Sequence, residues 1–187
     1  MNDAQLKKRL KRKLDSLKQK KGVYLFISPA KQYKLFNTYI LNHYTKESAG
    51  IYVTLNKGYK FIINDLKEIK NNASNLHFID AVTGQREEKN VDNCTFISNP
   101  QALTELALAI SAATSTGKFG FLFLDSINTL LIYNNFKTTE RFTHYVISKL
   151  RETKVGGIVF SIDEESANKI IPVIRQFCDE SIGIENL

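Results

Sequence analysis

The chain reads as an α/β protein: a three-layer α/β/α domain on a mostly parallel sheet, preceded by a basic amphipathic helix. Two observations predict this. Short apolar runs rich in β-branched and aromatic residues recur along the 187 residues, and amphipathic helical patterns separate them. Strands buried on both faces read as continuous apolar runs, and alternating strands and helices close into a parallel sheet with right-handed crossovers. With 43% apolar residues, one sizeable core is expected. The predicted division is a helix over residues 1–21 and a domain over 22–187.

The elements follow in order. Leu6, Leu10, Leu14 and Leu17 fall at i, i+4, i+8 and i+11, one stripe of a helix with Lys and Arg around it. Strands are predicted at Val23–Ile27, Ile51–Leu55, Leu76–Ile79, Thr95–Ile97, Phe121–Leu124 and Gly157–Ser161, with a weaker seventh run at Ile182–Ile184. A polar loop, Thr83 to Asn93, separates the third from the fourth. Helices are predicted near 31–46, 58–71, 100–116, 138–153 and 164–179. Leu103, Leu106, Ala107, Ile110 and Ala113 form one apolar face, opened by Asn99 as N-cap and Pro100 in the first turn. Phe142, Tyr145, Val146, Lys149 and Leu150 mark the next face, with Arg151 suited to its C-terminal dipole. Ile170, Val173, Ile174 and Phe177 mark the last, introduced by a Ser161–Glu164 capping box.

Charge is uneven. Residues 1–21 hold Lys7, Lys8, Arg9, Lys11, Arg12, Lys13, Lys18, Lys20 and Lys21 against Asp3 and Asp15, a net +7, while the remainder sums to zero. Cys94 and Cys178 are isolated within apolar patterns, which predicts buried thiols in a reducing compartment. His43, His77 and His144 are scattered singly, so no metal site is assigned. No segment reaches the about 18 apolar residues of a membrane span, and no apolar stretch follows the N-terminal charges as a secretory signal requires. The expected location is the cytoplasm.

Ligands of open parallel sheets bind beyond the carboxyl ends of the strands. After the first strand comes Ser28 to Asn37, which holds no glycine. A phosphate cradle needs glycines so that successive N–H groups can converge on the anion. The pattern G-x-x-x-x-G-K-[ST] occurs nowhere; the one Gly-Lys pair, Gly117-Lys118, is followed by Phe119. Lys31 and Lys34 offer charge there without a backbone nest. Asn56 and Lys57 follow the second strand, Asp80 the third, and Asp125-Ser126 the fifth. Asp80 reads as a turn residue. Asp125 has two readings: a loop or helix N-terminus acceptor, with Ser126 capping the short apolar turn Ile127 to Ile132, or a carboxylate that steers a metal such as magnesium or orders water.

Several pieces together carry a resemblance: Gly50 to Leu55, Phe78-Ile79-Asp80-Ala81, Phe121 to Leu131, Lys149-Leu150-Arg151 and the strand from Gly156 to Ser161. The chain from Gly22 onward resembles the RecA-like ATPase domain of the KaiC and RadA type, in a divergent and mostly archaeal branch. The resemblance implies a P-loop NTPase fold. It places a Walker A cradle at Ser28 to Asn37, where glycines and a Lys-Thr pair are missing. It places a catalytic glutamate after the second strand, where Asn56 and Lys57 stand. Asp125 matches the Walker B position. Positioning and charge stabilisation carry phosphoryl transfer, so loss of cradle and base implies a fold kept and an activity lost.

The expected function is therefore a catalytically inactive relative, without catalytic residues or cofactor, acting through protein partners or as a homo-oligomer. One alternative is ATP bound with magnesium through Lys31, Lys34, Asp125 and Ser126. Another is nucleic-acid binding through the nine basic residues of the leader. A membrane-surface role is disfavoured because the leucine stripe carries no Trp or Phe.

Overall fold

Seven strands form one sheet in which every neighbouring pair runs parallel, in the order β4-β3-β2-β5-β6-β1-β7. They are β1 (Val23–Pro29), β2 (Gly50–Thr54), β3 (Leu76–Asp80), β4 (Cys94–Phe96), β5 (Phe121–Asp125), β6 (Gly156–Asp163) and β7 (Glu180–Gly183). The helices are α1 (Asp3–Leu17), α2 (Tyr33–Thr45), α3 (Tyr59–Glu68), α4 (Leu103–Thr114), α5 (Ile127–Tyr133), α6 (Phe136–Thr153) and α7 (Ile171–Arg175). This computed structural model of the chain describes residues 3–17, 21–71, 73–84 and 91–187, so Lys18 and Lys20 lie outside the described residues.

Each sheet face has its own core, as a sheet buried on both sides requires. One is built from Leu25, Val53, Leu122, Leu124 and Val159 under α4, α5, α6 and α7. The other is built from Phe26, Tyr52, Phe78, Phe123 and Phe160 under α1, α2 and α3. On that second face the aromatic rings form a ladder across the strands. Phe160 stacks on Phe123 at 5.8 Å and Phe123 on Tyr52 at 5.1 Å; Phe78 follows at 6.0 Å. Gly50 opens β2 because a Cβ there would fall 2.1 Å from the Phe121 ring.

The basic leader is part of this second core. Leu6, Leu10, Leu14 and Leu17 are buried, packed in the cluster that includes Phe26, Phe36, Ile40 and Ile184. Arg9 donates to the Leu187 carbonyl, and Lys13 pairs with Glu180. The amphipathic stripe is consumed by the fold.

Local details differ from the sequence reading in four places. Asn99 does not cap α4: its Oδ1 accepts from the Gln101 N–H at 2.9 Å, forming a turn, and the helix begins at Leu103. Glu105 instead reaches back to the Ser98 N–H and hydroxyl. The α6 helix starts earlier, capped by Asn135, whose side chain accepts from the Thr138 N–H. Its buried face runs through Thr139, Phe142, Thr143, Val146, Ile147 and Leu150, so Tyr145 faces outward at 40% exposure. The helix predicted over 164–179 is broken into a single turn at Glu165–Ala167 and the short α7, because Pro172 supplies no N–H to a continuous helix and suits only a first turn. Ser161 forms no capping box. It lies inside β6 and donates to Asn128 Oδ1 at 3.0 Å.

Candidate functional site

The strand after which a phosphate loop is expected has almost no loop. β1 runs through Ser28 and Pro29, one turn of 3-10 helix follows at Ala30–Gln32, and α2 starts at Tyr33. Without glycines the backbone has no reason to swing outward, and the chain enters the helix directly. That turn places the Tyr33 side chain inward. Its ring meets Phe160 edge-on at 5.5 Å, at the end of the aromatic ladder.

Asp125 closes β5, opposite Thr54 of β2 and Phe160 of β6. Alternation along the strand puts it on the same face as Phe121 and Phe123, beneath α2. It is 1% exposed. The Tyr33 hydroxyl donates to Oδ1 at 2.5 Å and the Tyr52 hydroxyl to Oδ2 at 2.5 Å. Tyr52 Oη also lies 3.3 Å from the Asn37 amide. A phenol has one proton to donate, and Tyr52 directs it to Asp125, so the amide fits best with Nδ2 turned toward the phenol as donor. The carboxylate thus has a short charge-assisted hydrogen bond on each oxygen.

Electrostatics follow from burial. Desolvation raises the Asp125 carboxyl above its ordinary value, opposed by hydrogen bonds from Tyr33, Tyr52 and Asn37 and by the Lys57 charge. Tyr33 and Tyr52 are both pushed well above the usual tyrosine range, by desolvation first and then by the Asp125 charge. The phenols therefore remain protonated donors. Asn56, which stands where the resemblance places a catalytic glutamate, lies beside Tyr33 and offsets part of that rise. Chemically the cluster is a closed set of hydrogen bonds.

The four residues considered for nucleotide are not brought together. Lys34 pairs with Asp65 at 2.7 Å and Glu68 at 3.3 Å on the outer side of α2. Lys31 and Lys34 line a cleft with Lys7 and Tyr39 that neither Asp125 nor Ser126 lines. Ser126 is buried at the N-cap position of α5, yet its hydroxyl meets the Thr129 hydroxyl at 3.3 Å and makes no cap bond. Asp80 is a turn residue, as expected. It is buried, accepts from the Val82 and Thr83 N–H groups, and also anchors α3 through the Tyr59 N–H at 2.7 Å. Among the described residues no group of three His, Cys, Asp or Glu could hold a metal, and no helix is long and apolar enough to cross a membrane. Of the leader, Lys8, Arg9, Lys11, Arg12 and Lys21 are exposed, and Lys7 and Lys13 partly so.

Sequence reasoning missed Tyr33, Tyr52 and Asn37. One signal was present. A tyrosine inside a strand buried on both faces must find a hydrogen-bond partner for its hydroxyl, and Asp125 ends the neighbouring strand.

Comparison with known proteins agrees with this architecture. A family model described as a family of unknown function (DUF7504) matches residues 39–184. No curated protein matches the sequence. Among solved structures, the KaiC-like protein of the hyperthermophilic archaeon Pyrococcus horikoshii OT3 superposes with a TM-score of 0.64 at 11% identity, over 87% of this chain and 70% of that one. The likeness shows a shared fold.

Proposed function

The chain belongs to the DUF7504 family, and we propose that it is a catalytically silent member of the RecA-like fold that works through protein contacts as a regulatory or adaptor module in the cytoplasm. The observation that carries this reading is the Tyr33–Asp125–Tyr52 cluster. A carboxylate that steers magnesium must present an oxygen to a hydrated cation. Here both oxygens accept from phenols, and the Tyr33 ring stands over the strand end. Catalysis of phosphoryl transfer rests on positioned cations and backbone donors around the phosphates, and neither a cradle nor a base accompanies this carboxylate.

Protein contact is supported by apolar side chains left on the α4–α5–α6 side. Leu108 is 67% exposed and Ile132 is 76% exposed, with Tyr133 and Phe136 near the latter in sequence. The partner in this reading is a second copy or an active relative of similar fold.

Phosphate release from ATP with magnesium tests the silent-enzyme half. Turnover indistinguishable from that of Asp125→Asn supports it, and turnover above 1 per minute that this substitution abolishes refutes it. Light scattering tests the other half. Self-association that Ile132→Glu with Leu108→Glu abolishes supports a homo-oligomer built on this side.

A further inference from the structure

Basic side chains gather in the part of the sequence that supplies one helical layer. Residues 1–71, which supply α1, α2 and α3, hold 16 of the 26 basic and five of the 19 acidic side chains, a net +11; the rest of the chain is left at −4. The three helices cover the same side of the sheet. Several acids on that side are already engaged: Asp65 by Lys34 and Lys57, Glu68 by Lys34, and Asp15 beside His43. Lys8, Lys11, Arg12 and Lys31 are exposed and make no ion pair with any described acid.

This surface has a cleft of about 470 Å³ between the helices. Lys7, Lys31 and Tyr39 line it, together with Lys34 and the two carboxylates it pairs with, Asp65 and Glu68. Lys8, Lys11 and Arg12 stand within about one and a half turns of Lys7 along α1. Cations around a slot with an aromatic wall suit a strand of phosphates and unpaired bases, since every base has a face that stacks on a ring. A lipid surface is a poorer match. The leucines that would enter it are buried beneath α1.

We propose that the α1–α2–α3 face binds single-stranded nucleic acid, with phosphates along Lys8, Lys11, Arg12 and Lys31 and a base against Tyr39 in the cleft. The site is separate from Asp125 and stands or falls independently of the silent-enzyme reading.

The test is fluorescence anisotropy of a labelled 20-nucleotide oligothymidylate with the full chain, without nucleotide, from 50 to 200 mM salt. With those four phosphate contacts the affinity should fall roughly fiftyfold across that range. Lys8→Glu/Arg12→Glu/Lys31→Glu, a set of exposed positions whose unfolding temperature should match the parent, should weaken binding at least tenfold and flatten the salt slope. Tyr39→Leu should weaken it several-fold at unchanged slope. No binding at 50 mM salt, or binding unaltered in the triple variant, overturns the proposal. So does capture by phosphatidylserine vesicles without oligonucleotide binding. Equal affinity for a duplex of the same length overturns the placement of a base in the cleft.

Discussion

The Tyr33 hydroxyl lies 2.5 Å from Oδ1 of Asp125, joining the first turn after β1 to the end of β5 across 92 residues of sequence. These are the two places between which a magnesium-bound phosphate sits in an ATPase of the resembled type. A hydrogen bond now spans them, and the Tyr52 hydroxyl completes it from β2.

Removing either hydroxyl leaves a buried carboxylate oxygen short of its donor. Tyr33→Phe and Tyr52→Phe should each destabilise the fold by about 1–3 kcal/mol, visible in urea unfolding. Because both act on one carboxylate, each should be less damaging in an Asp125→Asn background, giving a coupling of at least about 0.5 kcal/mol in a double-mutant cycle.

Two groups set opposite pH dependences. Asp125 is raised from 3.8 by burial, so the folded chain holds its proton more tightly than the unfolded chain. Its contribution to stability is full below that ordinary value and is lost as pH rises through the folded one. His77 is lowered from 6.5 by desolvation. Its contribution is full above 6.5 and is lost as pH falls through the lowered folded value. Unfolding free energies from pH 4 to 8 should therefore show a fall with rising pH that Asp125→Asn removes, and a loss below about pH 6.5 that His77→Gln removes.

The leader should behave as core. Leu10 and Leu14 are each fully buried, so Leu10→Ala or Leu14→Ala should cost about 2–5 kcal/mol. Circular dichroism should show α1 melting together with the sheet in one transition. An earlier, separate loss of helix would show that α1 is merely laid on the surface.

Thiol chemistry offers a further check. Burial pushes the Cys178 thiol up to about 12, and Cys94 is buried. Neither should react with a disulfide reagent at pH 8 in the folded chain, and both should react in denaturant.

The sheet was legible because its strands are buried on both faces, and runs such as Phe121 to Leu124 and Gly157 to Ser161 carry that in composition alone. The α1 stripe was legible as a helix face, but its docking site was not, since Phe36, Ile40 and Ile184 come from distant segments. The final helix was overread because apolar spacing from Ile170 to Phe177 outweighed Pro172 between them. The tyrosine cluster stayed hidden for a different reason. Tyr52 reads as a core aromatic, and its partner lies 73 residues away on a neighbouring strand. Charge misled in a similar way. The neutral sum after residue 21 combines a basic stretch through Lys70 with an acidic remainder.

The central claim is that the Asp125 site is closed to magnesium and nucleotide, and a thermal-unfolding titration with ATP and magnesium tests it most directly. A ligand at 100 times its Kd stabilises a fold by about 2.7 kcal/mol, which for a chain of this size is a Tm rise of roughly 5–10 °C. We predict no shift above about 1 °C at 5 mM nucleotide. A rise of the larger size, lost in Asp125→Asn, would contradict the account and show that the tyrosines yield the carboxylate to a cation.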